Sequence, residues 1–235
     1  MHPFDVEHGV RTSGLVAGRH LKSGHAHDRH ATAYYGVAPS VFHELVRKWL
    51  RTRPAAAIEQ TSFIDIGAGM GRAVLLASEM RFRRVVGVEL HPALVRTARR
   101  NLTLWRKAGR ARASARIVQA DAASFAIPAG PAVLFLFNPF GAAVMRRMLS
   151  ALAREIAGGR GAVDLLYVNN EQEGVLEGFR NRNRGLARLF LGRVYRSRKD
   201  ARADHRILGS QPEGEYASSD FEDCSIWRWT TSGGL

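Results

Sequence analysis

The segment from Phe63 to Arg72, FIDIGAGMGR, constrains the fold more than any other part of the chain. It begins with a short apolar run and continues with Gly67, Gly69 and Gly71 at alternate positions. A hydrophobic run followed directly by glycines is typical of a β-strand that breaks into a tight loop. Glycine has no Cβ, so such a loop lets a ligand approach its backbone closely. The sequence therefore predicts a strand, a ligand-binding loop and then a helix.

The spacing of these glycines narrows the class of ligand. A dinucleotide-binding loop follows the pattern G-x-G-x-x-G, in which the third glycine packs the helix on the strand. Here the third glycine comes one residue early, and Arg72 stands where that pattern has glycine. Asp65, two residues before the first glycine, favours a ligand with a cationic amino group over one with a pyrophosphate. A dehydrogenase is therefore disfavoured.

Three further apolar runs follow this segment and also lead into polar residues. In chain order they end at Glu89, continue into Asp121 and continue into Asn138. The carboxyl ends of the strands in an open α/β sheet are where ligands bind. An acidic residue at the end of the second strand is placed to accept hydrogen bonds from a ribose diol. We therefore expect these side chains to share one ligand-binding edge.

These motifs resemble those of the class I (seven-β-strand, Rossmann-like) S-adenosylmethionine (SAM)-dependent methyltransferases, of the bacterial type with an N-P-F acceptor turn. The resemblance extends from about Tyr34 to Val168. It implies an α/β, Rossmann-like three-layer sandwich, with a mostly parallel seven-stranded sheet and an antiparallel C-terminal strand. It also implies SAM as cofactor, released as S-adenosylhomocysteine.

The resemblance assigns roles to individual residues. Asp65 and the glycine loop would hold the methionine end of SAM, Glu89 the ribose, and Asp121 the adenine amino group. The full set of expected cofactor-binding residues is Asp65, Gly67, Ala68, Gly69, Gly71, Glu89, Asp121, Ala122, Asn138 and Tyr35. Tyr35 belongs to Tyr34–Pro39, which resembles an entry segment that folds over the cofactor in related enzymes. Alternatively, both tyrosines pack on the edge of the sheet.

The turn Asn138-Pro139-Phe140 is the expected catalytic site. An asparagine carbonyl can accept N–H bonds from an amine or amide and orient its lone pair, and Phe140 could stack on a planar group. The turn resembles the N-P-P-Y/F turn of methyltransferases that act on adenine N6 or glutamine, although it lacks the second proline. Alternatively, Pro139 and Gly141 only end the strand and begin a helix.

The remaining chain is interpreted as one domain with an N-terminal extension. Residues 1–33 are polar and lack periodicity, so we expect a flexible extension before a methyltransferase domain at 34–235. Apolar periodicity predicts helices from Pro39, over Ala93–Lys107 and over Ala142–Ala157, and strands over Ala162–Val168, Leu189–Arg196 and Ser225–Thr231. Asp164 places a charge within one strand, either near a solvated end or facing a partner.

Composition bears on partners and location. The net charge is +14 with a pI near 11.1, and the segment Arg180–Lys199 is densely basic, which suits a polyanionic partner or only a solvated face. Cys224 is the only cysteine, and the chain has neither the apolar core of a signal peptide nor a membrane-length apolar run. We therefore expect a cytoplasmic protein without a membrane partner. We expect no metal at His20, His25, His27 and His30, because no cysteine or core accompanies them.

The function predicted from these observations is methyl transfer from SAM to a nitrogen, most readily on a protein side chain. A nucleic-acid base or a small molecule remains an alternative acceptor. From a different class, the chain could be a basic nucleic-acid-binding protein that keeps a SAM-binding fold as scaffold. The sequence does not indicate an oligomeric state.

Overall fold

The computed structural model describes residues 1–209 and 219–231, so parts of the predicted 34–235 domain lie outside the described residues. Its centre is one seven-stranded sheet in the order β3-β2-β1-β4-β5-β7-β6. The strands are β1 (Ser62–Ile66), β2 (Arg84–Glu89), β3 (Ala115–Gln119), β4 (Ala132–Phe137), β5 (Val163–Val168), β6 (Leu186–Tyr195) and β7 (Phe221–Trp229). The first five strands pair in parallel, and β7 lies antiparallel between β5 and β6. The predicted fold class is confirmed.

Helices cover both faces of the sheet. They are α1 (Pro3–His8), α2 (Pro39–Arg51), α3 (Arg72–Ser78), α4 (Pro92–Lys107), α5 (Ala142–Ala157), α6 (Glu173–Arg180) and α7 (Arg198–Gly209). Side chains alternate along each strand, so Phe63 packs with α2, α3 and α4 while Ile64 packs with α5 and α6. Two buried faces explain the continuous apolar runs of the central strands. Among the described helices, none combines the length and apolar composition that crossing a bilayer requires.

Most sequence-predicted elements are present, and three helices were missed. The helix predicted at Ala142–Ala157 has those bounds, and α2 begins at Pro39 as expected. The two late strands are longer than predicted and begin earlier, at Leu186 and Phe221. The helices α1, α6 and α7 were not predicted. In α7 the buried face is formed by Asp200, Ala203 and Asp204, so it lacks the large apolar side chains by which the other helices were predicted.

The charge within β5 faces a partner. Asp164 lies opposite Arg228 of β7 and accepts hydrogen bonds from its Nε (2.8 Å) and Nη2 (3.0 Å). Its Oδ2 also accepts the indole N–H of Trp49 at 2.6 Å. Because both carboxylate oxygens are satisfied, the buried charge is tolerated and joins α2 to the antiparallel end of the sheet.

The N-terminal 33 residues, which the sequence predicts to be a flexible extension, pack against the domain. His2 caps α1 by accepting the N–H of Phe4, and Phe4 and Val10 are buried in the core on the α2 side. We call residues 10–38 the strap. The strap crosses the carboxyl edge of the sheet and is held by polar contacts and by an apolar cluster in which its Leu21 and Tyr34 meet Met70 and Leu94. Polar anchors of this kind carry no periodic signal, which is why the sequence suggested loose packing.

Candidate functional site

Two adjoining cavities lie along the carboxyl edge of the sheet within the described residues. The first lies over β1, β2 and β3, has a volume of about 100 Å³, and is lined by Gly67, Glu89, Asp121, Ala122, Pro139 and Phe140 among others. The second lies over β4, β5, β7 and the end of β6, has a volume of about 530 Å³, and is lined by Asn138, Asn169, Glu171, Arg196 and Glu222 among others. Strap residues 31–33, with Tyr35 and Phe137, line both cavities and so form the wall between them.

The glycine loop is held in a conformation that only glycine adopts without strain. Gly67, Gly69 and Gly71 have φ values of +75°, +55° and +89°. A Cβ at Gly67 would lie 2.3 Å from Cβ of Pro139, and a Cβ at Gly69 would lie 2.0 Å from Cε2 of Tyr34. The loop is also tied to β2, since the N–H groups of Gly67 and Ala68 both donate to the carbonyl of Val88 at 2.9 Å. The glycines therefore bring the acceptor turn and the strap onto the loop.

Two carboxyl groups lie at this loop. Glu89 lines the first cavity, and its two oxygens accept the N–H groups of Gly69 and His91, each at 2.8 Å. Asp65 is buried in β1, outside the lining of that cavity. Burial and the neighbouring Glu89 raise the pKa of Asp65 to about 8, and burial also raises the pKa of Glu89. Two buried acids at one loop favour a ligand that brings a positive charge.

Asp121 and Ala122 line the opposite end of the first cavity, beyond β3. Asp121 accepts the N–H of Ala123 at 3.1 Å, which orients one carboxylate oxygen. The other oxygen lies 3.1 Å from Nδ1 of the strap residue His27. The strap therefore reaches across the first cavity and contacts the residue expected to hold adenine.

The acceptor turn separates the two cavities. Asn138 has a positive φ of 39°, is buried and lines the second cavity, whereas Pro139 and Phe140 line the first. Asn138 Oδ1 accepts a hydrogen bond from the Tyr167 hydroxyl at 3.2 Å, and its backbone carbonyl accepts one from Thr32. Asparagine tolerates the left-handed region better than most residues. The amide of Asn138 is thus held at the boundary between the cavities.

The two tyrosines of the strap differ in position. Tyr34 is buried against the glycine loop and donates its hydroxyl to the carbonyl of Thr12 at 2.7 Å. Tyr35, which was predicted to bind the cofactor, lines both cavities. Its hydroxyl faces Asp204. Four residues that were predicted to bind the cofactor lie in β1 or in the glycine loop but do not line the first cavity. They are Asp65, Ala68, Gly69 and Gly71.

Arg72, which the sequence noted only for its place in the glycine pattern, anchors the strap. The buried guanidinium donates to Thr12 Oγ1 at 2.7 Å and to the carbonyls of Gly36 and Val37 at 3.0 and 3.2 Å. It also lies 3.9 Å from the buried carboxylate of Asp5. One side chain of α3 therefore holds both ends of the strap.

The second cavity contains a charged group that the sequence analysis missed. Glu222 forms an ion pair with Arg196, and Arg196 Nε lies 3.0 Å from Oδ2 of Asp204. Asp204 is fully buried, and Glu222 is 8% exposed. The three residues come from three different elements, so only the antiparallel insertion of β7 brings them together.

The basic segment Arg180–Lys199 does not form one open cationic surface. Five of its eight basic residues form ion pairs within the chain, namely Arg180, Arg188, Arg193, Arg196 and Lys199. The segment spans the end of α6, the whole of β6 and the start of α7. Much of its charge is therefore neutralised.

The N-terminal histidines come closer to a metal-binding geometry than the sequence suggested. Ligand atoms of His25, His27 and Asp121 lie within 4.8 Å of one another. However, His25 Nδ1 accepts the N–H of His27, and His27 Nε2 faces the guanidinium of Arg147. A guanidinium beside a candidate ligand atom disfavours the binding of a metal cation there. The absence of a metal at these histidines remains a prediction.

Comparison with known proteins identifies the fold. No protein-family model and no curated protein sequence matches the chain. Among solved structures, it is similar to a proposed RNA methyltransferase from Pyrococcus horikoshii, with a TM-score of 0.53, 18% identity, and coverage of 82% of this chain and 83% of the other. It is also similar to precorrin-6y C5,15-methyltransferase from Geobacter metallireducens, with a TM-score of 0.51, 16% identity and coverage of 80% and 87%.

A third similar structure belongs to a cyclase. The cyclase SpnF has a TM-score of 0.55 and 14% identity, with coverage of 82% of each chain. At these identities the likeness shows a shared fold, that of the class I SAM-dependent methyltransferases. The cyclase illustrates that this fold does not by itself fix the reaction.

Proposed function

We propose that the protein is a SAM-dependent methyltransferase that methylates a nitrogen of a protein side chain. The observation that carries this proposal is the position of the acceptor turn. Asn138 faces the second cavity, whereas the next two residues face the first. A cofactor in the first cavity and an acceptor in the second would therefore meet at this turn.

The residues of the first cavity fit SAM. The loop glycines hold φ values that glycine adopts without strain, which exposes backbone to a ligand at Gly67, and the buried acids Glu89 in the lining and Asp65 beside it suit a ligand with an ammonium group. Each oxygen of Glu89 accepts one N–H and keeps a lone pair for a ribose hydroxyl. Asp121 likewise keeps acceptor capacity for an adenine amino group.

SAM supplies a methyl group on a sulfonium, and its transfer to a nitrogen lone pair is a direct displacement. The contribution of this chain is then to bind, align and exclude water. The Tyr167 hydroxyl holds the amide of Asn138, so the remaining acceptor capacity of Oδ1 can orient an incoming N–H group. The strap covers both cavities and would keep water from the reacting atoms.

Charge favours a protein side chain as the acceptor. The second cavity is lined by Glu171 and Glu222 and by Arg19 and Arg196, and Asp204 lies behind Glu222 on the guanidinium of Arg196, so the carboxyl groups outnumber the guanidinium groups by three to two. Such a cavity suits a cationic amine. The ion pairs within Arg180–Lys199 remove part of the surface that would attract a polyanion.

RNA is the second candidate acceptor, because the net charge is +14 and one similar structure is that of a proposed RNA methyltransferase. The test is to incubate the protein with methyl-labelled SAM and a bacterial cell extract, followed by protease or nuclease digestion. We expect label that protease releases. Label released by nuclease would favour RNA, label in neither fraction but in small molecules would favour a metabolite, and no label despite SAM binding would favour the non-catalytic scaffold.

A further inference from the structure

We infer that Glu222 accepts the proton of a primary ammonium group in the second cavity, and that Arg196 and Asp204 position it for this step. The inference rests on the proposed function and identifies the acceptor as a cationic amine, such as that of a lysine side chain. An ammonium group has no lone pair, so it must lose a proton before it can be methylated. Some group at the cavity has to take that proton or pass it to water.

Glu222 is placed to do so because of where its neighbours lie. Arg196 is held rigidly, since its Nη1 donates to the carbonyl of Phe221 at 3.0 Å and its side chain is 5% exposed. Asp204 contacts the same guanidinium from α7 and is fully buried, outside the cavity lining. Glu222 is therefore the carboxyl group of this trio that lines the second cavity, beside the guanidinium of Arg196.

The charge of this group is unbalanced. One guanidinium serves two carboxyl groups, so both cannot be ionised without leaving a net negative charge in a buried place. A third carboxyl group, that of Asp200, lies beside them. His2 contacts both Asp200 and Asp204 but does not neutralise their negative charge. Burial and the charge of Arg72 lower the pKa of His2 to about 4, so its ring is neutral near pH 7. A cation that enters the cavity restores the balance.

The charged groups that face Glu222 come from several elements. They are Arg196 after β6, Asp204 of α7 and Asp223 of its own strand, with Glu171 and Arg19 on the wall of the same cavity. Burial raises the pKa of Glu222 to about 7, against the opposing effect of Arg196. A carboxyl group with that pKa can both take and release a proton near neutral pH.

The reaction takes place in two steps, proton transfer and then methyl transfer, and atoms and charge balance in each. The ammonium transfers one proton to the Glu222 carboxylate, which leaves a neutral amine and a carboxylic acid. The N–C bond then forms from the amine lone pair as the S–CH3 bond of the bound sulfonium breaks, which yields a methylated ammonium and a neutral thioether. Glu222 afterwards releases its proton to solvent through the mouth of the cavity.

The experiment compares Glu222→Gln with the matched control Asp220→Asn, which changes an exposed carboxylate directly before the same strand that does not act on the pKa of Glu222. The readout is the initial rate of label transfer to the protein fraction of a bacterial extract between pH 6 and 9. Wild type should lose activity below about pH 7, as Glu222 becomes protonated. Glu222→Gln should be about 10- to 100-fold slower near pH 8 and lose that acidic limb. It should still bind S-adenosylhomocysteine, Glu222→Asp should recover part of the rate, and Asp220→Asn should match wild type.

A second measurement uses wild type alone, in case Glu222→Gln does not fold. n-Butylamine should inhibit label transfer to the protein fraction at concentrations where n-butanol does not. Equal inhibition by both, or an unchanged rate and pH profile in folded Glu222→Gln, would overturn the role of Glu222 and leave the proposed function intact. Wild-type label in RNA alone would instead overturn the protein acceptor, and the inference with it.

Discussion

The ring of Tyr34 lies directly on the backbone of Gly69, where a Cβ added to the glycine would come within 2.0 Å of Cε2 of the tyrosine. This contact presses the strap against the loop expected to hold the methionine end of the cofactor. The same loop meets the acceptor turn at Gly67 and Pro139. Loop, strap and acceptor turn therefore form one packed unit, and a change in any of them should affect the other two.

Gly69→Ala should disrupt this unit. The new Cβ would clash with Tyr34 at a backbone φ of +55°, so we expect a loss of about 2–4 kcal/mol in the free energy of unfolding. SAM affinity should fall as well. Gly161→Ala is the control, because its Cβ would meet nothing within 4 Å and its φ is not in the left-handed region, and it should change stability by less than about 0.5 kcal/mol. Urea unfolding and calorimetry would measure both, and equal behaviour of the two variants would contradict the packing role of Gly69.

Arg72→Met should release the strap. The substitution leaves the buried Asp5 carboxylate without its cation, and it removes the hydrogen-bond donors to Thr12, Gly36 and Val37. We therefore expect the free energy of unfolding to fall by about 3–5 kcal/mol. Arg110→Met, which breaks a half-exposed pair with Glu79, should cost less than about 1 kcal/mol. Denaturant unfolding would measure the costs, and trypsin should cleave the strap of Arg72→Met faster. A strap as protease-resistant as that of wild type would refute the anchor.

Asn138→Ala should separate chemistry from cofactor binding. Its amide faces the second cavity, so we expect turnover to fall about 10- to 100-fold while the affinity for S-adenosylhomocysteine stays within about threefold. Asn183→Ala is the control, because it removes only an amide that donates to the carbonyl of Phe179, and it should keep full turnover. If Asn138→Ala instead loses cofactor affinity and melts early, the turn is structural and not catalytic.

Asp65 should make stability and cofactor binding depend on pH. Its pKa in the folded protein is raised from 3.8 to about 8, so its contribution to stability is full below about pH 4 and is lost as pH rises towards 8. Asp65→Asn should flatten this fall in the free energy of unfolding of the cofactor-free protein, whereas Asp220→Asn, at an exposed carboxylate, should not.

An ammonium group bound near Asp65 would favour the ionised carboxylate. SAM binding at pH 7 should therefore release a fraction of a proton, measurable by calorimetry in buffers of different ionisation enthalpy. Asp65→Asn should abolish that release. Identical proton release in wild type and Asp65→Asn would exclude Asp65 as the partner of the ammonium group.

Metal analysis should find no stoichiometric zinc in untagged protein. The reason is the Arg147 guanidinium that faces His27 Nε2, next to a cluster with only three candidate ligands among the described residues. His25→Ala combined with His27→Ala should retain turnover. One equivalent of tightly held zinc that this double variant loses would establish a metal centre at His25, His27 and Asp121.

Local patterns in the sequence were sufficient for the fold and for the edge of the sheet at which the candidate site lies. The apolar runs and glycine spacing predicted the strand, loop and helix at Phe63–Arg72, and the periodicity of Ala142–Ala157 predicted α5 with its bounds. Because parallel strands end at one edge of a sheet, the polar residues after β1 to β4 could be expected there without any coordinates. Hydrophobic periodicity encodes the backbone over a few turns or strand residues, so these features are readable from the chain.

Only the tertiary structure decided the strap and the second cavity. Asp5 and Arg72 are far apart in the sequence, and so are Tyr35, Arg196 and Glu222. A single buried polar residue produces no periodic pattern from which its partner could be predicted. Their pairing depends on the path of the strap over the sheet and on the insertion of β7 between β5 and β6. Those long-range arrangements determine which carboxyl groups are buried together, and burial together is what shifts their pKa values and gives the acceptor side its charge.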